Sequence, residues 1–257
     1  MITARFMGRL GNQMFEYAMA KAQAKRLGVE LILDTTLFRP DHPFQLNQWA
    51  GVNERSVRGS RVTIREQGMS YNQALVDRIK DGDVLQGYWQ SEKYFDAIRD
   101  DLRETFFLKL NEEQRELAEQ IRLSVSVALH IRRGDYLQEP YKSFHGVLGE
   151  DYYQRATSLI LEREPAAKFF VFAEDPEWTS QNVKLDNRVI VQPNQEAVDI
   201  YLMSKCKHAI IANSTYSWWG AWLGDWRSDR TVVAPMKWFA GGTEDTRDIV
   251  PERWVKI

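Results

Sequence analysis

Two adjacent arginines follow an apolar run in the segment ALHIRRGDYL, at positions 128–137. Arg132 and Arg133 stand with His130 and Asp135 where that run ends. A guanidinium offers a planar fork that matches phosphate oxygens, and next to a buried strand it needs a negative partner. Because side chains alternate along a strand, we expect one arginine to meet an anionic ligand and the other to brace the loop through Asp135. A structural cluster of ion pairs is the alternative interpretation.

A second polar burst follows an apolar strand in the segment IIANSTYSWWGAWLG. The strand ends near Asn213, and a helix begins within a few residues. Backbone N–H groups in the first turn of a helix attract anions, and hydroxyl side chains there can add phosphate contacts. The hydroxyls that could do so belong to Ser214, Thr215 and Ser217. An ordinary capped helix is the alternative.

Two further motifs carry carboxylates. In FAEDPEW, Glu174 and Asp175 follow a strand and could accept hydrogen bonds from a guanine edge or from ribose hydroxyls. A turn with aspartate before Pro176 explains the same letters without a ligand. In DGD, at 81–83, the central glycine favours a plain turn over a cation site. The sequence therefore predicts no metal site.

A glycine-punctuated turn, GRLGNQMF, joins the first strand to the first helix. Gly8 and Gly11 allow a tight turn, and Asn12 can cap the helix or touch a ligand. The motif is neither the dinucleotide fingerprint nor a Walker sequence, so it does not favour a dinucleotide-binding enzyme or a P-loop NTPase.

Composition limits the classes of function. The chain has 257 residues, 44% hydrophobic and 27% charged, with a formal net charge of -2. No global positive charge indicates a nucleic-acid partner, so any anion site must be local. The single cysteine, Cys206, excludes an internal disulfide framework and a cysteine-rich zinc site. No apolar run reaches the roughly 18 residues of a membrane span, and no signal-peptide pattern occurs. We expect a cytoplasmic protein, and a peripheral position at the inner face of the membrane stays open.

The elements that must position these residues alternate between strand and helix patterns, which predicts an α/β fold. A first strand at 2–6, a helix at 12–27 and a second strand at 29–34 open the chain, and the stretch 38–71 shows no clear period. The second half predicts strands at 125–131, 168–174, 187–191, 208–213 and 231–235, alternating with helices near 151–164, 195–205 and 215–224. This order indicates a parallel, doubly wound sheet.

The predicted boundary between two domains lies near Ser124, which gives domains at 1–124 and 125–257. Ligands of parallel sheets bind outside the carboxyl ends of the strands. The three polar bursts after the predicted strands all lie at such ends. We therefore expect them to converge on one site.

Taken together, the motifs closely resemble the α-1,2-fucosyltransferase family, whose members transfer L-fucose from GDP-fucose to galactose. The resemblance runs from Phe6 to Trp254 and is carried, in order, by GRLGNQMFEYAMAKAQAKRLG, LQGYWQSEKYF, HIRRGDY, DYYQRA, FAEDPEW and DIYLMSKCKHAIIANSTYSWWGAWLG. It implies a GT-B fold of two Rossmann-like domains with a cleft between them. The N-terminal domain would face the acceptor and the C-terminal domain would hold GDP-fucose. It also implies inversion at the anomeric carbon with no cofactor and no divalent metal.

The resemblance also implies roles for single residues. Arg132 would contact the β-phosphate, and Asp199 matches an acidic position near the nucleotide, although a carboxylate favoured by the helix dipole is its alternative. The remaining donor-side residues are His130, Arg133, Asp135, Glu174, Asp175, Asn213, Ser214, Thr215, Tyr216 and Ser217. The sugar or acceptor side would be formed by Gly8, Asn12, Gln13 and His145. The family often has the sequence FSDD where this chain has FAED. The expected nucleotide contact is therefore better supported for Asp175 than for Glu174.

An inverting transfer asks for a base near the acceptor hydroxyl. Asp135 is the candidate from sequence, with Glu139 and His145 as alternatives and a route needing little base also open. The expected acceptor is a galactose-terminated oligosaccharide or lipid-linked glycan. A transferase using another nucleotide sugar or linkage, and a non-catalytic carbohydrate-binding protein, are the competing hypotheses. The sequence shows no stem or anchor pattern, and in this it resembles the bacterial members of the family, which build polysaccharide precursors.

Overall fold

The structure, a computed structural model, describes residues 1–39, 43–57, 63–242 and 244–257. The described chain forms two compact units. The first unit comprises Met1–Leu108 and Glu244–Pro251, and the second comprises Lys109–Thr243 and Glu252–Ile257. Each is an α/β unit built on a parallel sheet, which confirms the predicted class and gives the two-sheet composition expected of a GT-B glycosyltransferase.

The first unit contains a five-stranded sheet in the order β3-β2-β1-β5-β4. Its strands are β1 (Ile2–Arg5), β2 (Leu31–Asp34), β3 (Ser56–Val57), β4 (Ile64–Arg65) and β5 (Val84–Gln86), and its helices are α1 (Leu10–Leu27), α2 (Gln73–Asp77) and α3 (Arg99–Thr105). Helix α1 is buried along most of its length and ends at Gly28, whose φ of 65° gives the left-handed cap that glycine adopts without strain. Residues 40–42 and 58–62 of the stretch left unassigned from sequence lie outside the described residues.

The second unit contains a six-stranded sheet in the order β11-β10-β9-β6-β7-β8. Its strands are β6 (Ser126–Ile131), β7 (Lys168–Ala173), β8 (Arg188–Ile190), β9 (His208–Ile210), β10 (Val232–Ala234) and β11 (Val255–Lys256). Its helices are α4 (Glu112–Arg122), α5 (Tyr141–His145), α6 (Glu150–Arg163), α7 (Pro176–Asn182), α8 (Glu196–Lys205) and α9 (Thr215–Leu223). The apolar, β-branched strands predicted in this half are confirmed to within a few residues.

The two faces of β6 meet different helices. Val127, Leu129 and Ile131 pack into a core with Tyr152 and Ile160 of α6. Because successive side chains of a strand point to opposite faces, His130 and Arg132 belong to the other face. The strand order reverses at β6, with β7 on one side and β9 on the other. Such a switch point is where ligands bind in open parallel sheets.

The division of the chain differs from the boundary expected at 124/125. Contacts divide the described chain after Leu108, and Glu244–Pro251 returns to the first unit. Helix α4 packs against α8 of the second unit and buries Ile121. The Asn111 cap in the sequence indicates where this helix starts, but the polar sequence of the helix does not indicate which of the two sheets it packs against. Across the described ranges, every helix is too short or too polar to cross a bilayer.

Candidate active site

Arg132 lies just beyond the carboxyl end of β6, and its guanidinium is held by two carboxylates. Its Nη2 donates to Oδ1 of Asp135 at 2.6 Å, and its Nη1 donates to Oε1 of Glu174, which follows β7. The guanidinium carbon lies 4.9 Å from the centre of the Tyr136 ring. The side chain is only 13% exposed, so the ion pairs fix the direction of the fork. The expected division, with one arginine for the ligand and the other for Asp135, is not observed, because Arg132 itself engages Asp135 and Arg133 stacks on Trp178.

Three buried nitrogens in this region have no hydrogen-bond partner within the described part of the chain. They are Nε of Arg132, Nδ1 of His130 and Nδ1 of His145. The His145 ring stacks on Tyr136, with centroids 4.4 Å apart and planes within 7°. Buried polar groups are normally satisfied, so these atoms mark a place where a ligand with acceptor atoms would complete the bonding.

His130 stays neutral at physiological pH. Burial, with a smaller contribution from the nearby Arg132 charge, lowers the pKa of His130 to about 3. Its ring lies 5.2 Å from the ring of Tyr216. A neutral imidazole beside a cation can act as a donor or an acceptor without adding charge.

Asp199, in the first turn of α8, joins the same face through Tyr216. The Tyr216 hydroxyl donates to Oδ2 of Asp199 at 3.2 Å, and the Asn194 amide donates to Oδ1 at 2.8 Å. Burial raises the pKa of Asp199, while these hydrogen bonds oppose the rise. The structure thus brings Asp199, Tyr216 and His130 together.

The first turn of α9 differs from the prediction in its details. Ser214 occupies the N-cap position with no side-chain cap bond, so its hydroxyl is not engaged in capping. Ser217 is fully buried and donates to the carbonyls of Ala212 and Ser214 at 3.5 and 3.4 Å. A phosphate contact from the Ser217 hydroxyl does not fit this burial. Ser214 and Thr215 remain at the start of the helix, where backbone N–H groups can bind an anion.

Asn213 links neighbouring loops through hydrogen bonds. Its amide donates to the carbonyls of His145 at 2.8 Å and Trp238 at 3.2 Å, and its own carbonyl accepts from the Tyr136 hydroxyl at 3.3 Å. These contacts join the loop after β9 to the loop after β6. Asn213 therefore positions the residues around Arg132, and contact with a ligand through its amide would break these bonds.

Arg133 lies on the opposite face, where its guanidinium stacks 3.9 Å from the centre of the Trp178 ring. It lines a cavity of about 220 Å³ between β6, α6 and α7. Asp175 caps α7 by accepting from the Trp178 N–H at 2.9 Å. The turn predicted at Asp175 and Pro176 is thus the start of a helix, and this cap is the alternative that needs no ligand.

Three of the four predicted acceptor-side residues, Gly8, Asn12 and Gln13, lie on the first unit. Gly8 has a φ of 70°, and an added Cβ would come within 2.6 Å of the Asn12 amide nitrogen. Gln13 is fully buried, donates to the Gly8 carbonyl at 2.9 Å and accepts from the N–H groups of Gln45 and Leu46. Direct ligand contact by Gln13 does not fit these bonds, and it positions the turn instead. His145 belongs to the second unit.

A polar cluster near Asn12 was missed from sequence. The Asn12 Oδ1 accepts from the Gln90 amide at 3.1 Å. Glu66, which follows β4, accepts from the N–H groups of Tyr88 at 2.6 Å and Trp89 at 2.9 Å, just before Gln90 in the chain. The motif LQGYWQSEKYF contains Gln90, but Glu66 lies in the stretch with no clear period. Only the parallel pairing of β4 with β5 brings the two together.

The described residues contain no cluster of three or more histidine, cysteine or acidic side chains that could hold a metal ion. At 81–83, Asp81 pairs with the N-terminus and Asp83 accepts from the Lys80 N–H at 3.0 Å. The predicted turn accounts for both carboxylates.

The fold and the site define a parallel α/β enzyme that presents arginine and a helix start at a strand switch point. The sequence from 31 to 257 matches the profile described as Glycosyl transferase family 11. The chain therefore belongs to glycosyltransferase family 11, which confirms the family predicted from the motifs and makes the protein a glycosyltransferase.

Three relatives illustrate the similarity. The chain is 32% identical to an alpha-1,2-colitosyltransferase of Escherichia coli, over 100% of this chain and 98% of the relative. It is also 32% identical to the O-antigen biosynthesis glycosyltransferase WbnK of Escherichia coli, over 97% and 98%. The human galactoside alpha-(1,2)-fucosyltransferase 1 is 29% identical over 84% of this chain and 63% of its own length.

Proposed function

We propose that the protein transfers L-fucose from GDP-L-fucose to the 2-hydroxyl of a β-galactoside, with inversion and without a divalent metal. The observation that carries the proposal is the Arg132 site, in which an oriented guanidinium lies near buried nitrogens that have no partner among the described residues. Family membership supplies the reaction class, and the residues supply the donor chemistry.

Arg132 has the properties that a departing diphosphate requires. When the bond between the sugar and GDP breaks, negative charge grows on the β-phosphate, and preorganised donors that meet this charge lower the barrier. Arg132 is held in direction by Asp135 and Glu174, and its Nε has no partner within the described residues. The N–H groups in the first turn of α9 offer a second set of donors. Together they can take the part that a divalent cation plays in other transferases.

The nucleotide side is proposed to use Asp199. A carboxylate can accept two N–H bonds from the guanine edge, and Asp199 is held in place by Asn194 and Tyr216. His130 supports the tyrosine ring from the sheet. Arg133 and Asp175 stabilise the neighbouring loop through Trp178 and the α7 cap.

A second donor is favoured by a specific relative. The alpha-1,2-colitosyltransferase matches the chain along its whole length, and colitose is fucose without its 3-hydroxyl. GDP-colitose is therefore the competing donor within the same linkage class. For the acceptor, we propose a galactose-carrying glycan, and the relative named for O-antigen biosynthesis supports a polysaccharide precursor as its class.

The test incubates the purified protein with GDP-fucose, GDP-colitose or GDP-mannose and a panel of β-galactosides, with EDTA present throughout. We expect transfer from GDP-fucose, and linkage analysis of the product should show an α-1,2 bond to galactose. Full activity in EDTA supports the metal-independent mechanism, and activity that returns only with added Mg²⁺ or Mn²⁺ contradicts it. Transfer from GDP-colitose alone would make GDP-colitose the donor in place of GDP-fucose. A protein that binds glycan but not GDP in calorimetry would be a lectin.

A further inference from the structure

A cavity of about 220 Å³ lies inside the second unit, on the face of β6 that packs against α6. Every residue that lines it belongs to that unit. Leu129 and Ile131 line it from β6, and Arg133 and Trp178 line it beyond the ends of β6 and β7. The cavity thus reaches the carboxyl edge of the sheet, where parallel sheets bind ligands.

Aliphatic and aromatic side chains form much of the lining. Leu129 and Ile131 belong to the buried core of the unit. Further side chains pack against this core, stay partly exposed and line the cavity, namely Leu148, Tyr153, Trp178, Val183 and Leu185. An apolar cavity of about 150 Å³ admits benzene. This larger cavity therefore has room for one hydrocarbon ring with a short substituent.

Arg133 brings to this cavity a positive charge that no carboxylate balances. Its guanidinium stacks 3.9 Å from the centre of the Trp178 ring, and it makes no ion pair with any residue that the structure describes. The carboxylates of Asp135 and Glu174 are held by Arg132 instead. A guanidinium stacked on an aromatic face still directs its N–H donors within its own plane, where they match the two oxygens of a carboxylate.

The other two charged side chains of the lining offset each other. Lys184 and Glu150 are both exposed and opposite in sign. The Glu150 Oε1 accepts from the Gln154 amide at 2.8 Å. Arg133 therefore leaves the lining with one positive charge in excess, which favours an anion over a neutral or cationic ligand.

Tyr153 adds a hydrogen-bond donor to the same cavity. Its hydroxyl is buried, and the hydroxyl proton has no acceptor in the described part of the chain. Burial raises the pKa of Tyr153, and the charge of Arg133 is among the effects that oppose the rise, so the two side chains lie close together. The phenol keeps its proton at physiological pH. Buried hydroxyls normally have a partner, and the oxygen of an anionic ligand would supply one.

We propose that this cavity binds a small apolar carboxylate, with its hydrocarbon part against the side chains of β6, α6 and α7 and its carboxylate on Arg133 and the Tyr153 hydroxyl. The site lies on the face of β6 opposite to His130 and Arg132, so it is distinct from the proposed donor site. The inference goes beyond the proposed function and does not rest on it, because all of its residues belong to one unit and its test requires no turnover.

The test titrates the protein with phenylacetate and with 2-phenylethanol, which has the same ring and no charge. Nuclear magnetic resonance of labelled methyl groups follows binding, because Ile131, Val183 and Leu185 place methyl groups in the cavity wall. We expect phenylacetate to shift these methyl signals with a Kd of about 1 mM or below, an ordinary value for about ten non-hydrogen atoms. 2-Phenylethanol should bind about tenfold more weakly or worse, because it offers no charge to Arg133.

Three arginine variants locate the anion. Arg133→Gln should weaken phenylacetate binding by about tenfold and remove the preference over 2-phenylethanol. Arg155→Gln makes the same change of charge at an exposed position of α6 outside the cavity, and it should bind like the wild type. Arg132→Lys should also bind phenylacetate normally. Binding that is lost in Arg132→Lys and kept in Arg133→Gln would place the probe in the donor site and overturn the inference.

Two further variants separate binding from folding. Tyr153→Phe should weaken phenylacetate binding by about threefold to tenfold, and its melting temperature should stay near that of the wild type, because the hydroxyl proton has no acceptor to lose. Val183→Phe should fill the cavity and abolish binding of both probes. Equal affinity for the two probes in the wild type, or no saturable shift of the cavity methyl groups, overturns the inference even if Arg133→Gln fails to fold.

Discussion

Asp135 accepts a hydrogen bond from Nη2 of Arg132 at 2.6 Å, across a single turn of the loop that follows β6. The other terminal nitrogen of the fork is taken by Glu174 from the next strand. One guanidinium is thus fixed by two strand ends, and its Nε, which has no partner among the described residues, is a donor that a ligand could use. The geometry requires an arginine, because an ammonium group cannot hold both carboxylates in one plane.

Arg132→Lys should therefore lose most activity although the positive charge remains. We expect kcat/KM for the GDP-sugar to fall by about a hundredfold or more, the usual effect of removing a preorganised donor. Initial rates and GDP calorimetry measure the effect. Arg133→Lys is the matched comparison, since that side chain stacks on Trp178 on the opposite face, and its loss should be smaller. Near-normal rates in Arg132→Lys would contradict the role given to the fork.

Gly134→Ala should act through Glu174. Gly134 has a φ of 25°, and an added Cβ would lie within 2.7 Å of the Glu174 carboxyl carbon. The glutamate must move off Arg132, so we expect about a tenfold loss in kcat/KM, similar to the loss from Glu174→Ala. A double-mutant cycle decides the matter. Gly134→Ala should cost little in the Glu174→Ala background, and fully additive losses would mean that the glycine acts elsewhere.

Asp199→Asn should weaken nucleotide binding and leave diphosphate binding unchanged. The amide that replaces the carboxylate cannot accept two N–H groups from guanine, so GDP affinity should fall by about tenfold. Inorganic pyrophosphate, titrated in the same calorimeter, should bind as in the wild type. Asp186→Asn, an exposed change on the same unit, is the control. Equal losses for GDP and pyrophosphate would place Asp199 beside the phosphates instead.

The sequence predicts the second unit better than the first, for a physical reason. Strands such as β6 are buried on both faces, so their residues form continuous apolar runs that end sharply at His130 and Arg132. The convergence of strand ends then follows from the topology of a parallel sheet. In the first unit, β3 and β4 have only two residues each, and no periodicity marks strands so short.

The residue types in the motifs predicted where polar side chains lie better than they predicted which of them could contact a ligand. Ser217 and Gln13 have the side chains of ligand-binding residues, yet both are fully buried and bonded to backbone groups. Glu66, in the polar cluster near Asn12, was missed for another reason. Nothing in its local sequence marks it, because its environment is made by the turn at 87–90 folding over it from the adjacent strand.

Asn213→Ala and Ser214→Ala, adjacent changes at the start of α9, should have opposite effects. The Asn213 amide ties the carbonyls of His145 and Trp238, so its loss should lower the free energy of unfolding by about 1–3 kcal/mol. Removing an N-cap serine normally costs about 1 kcal/mol, but Ser214 makes no cap bond. Ser214→Ala should therefore keep its stability in urea and bind GDP more weakly. If Ser214→Ala instead unfolds early with unchanged GDP affinity, its hydroxyl serves the fold and the helix start loses one proposed phosphate contact.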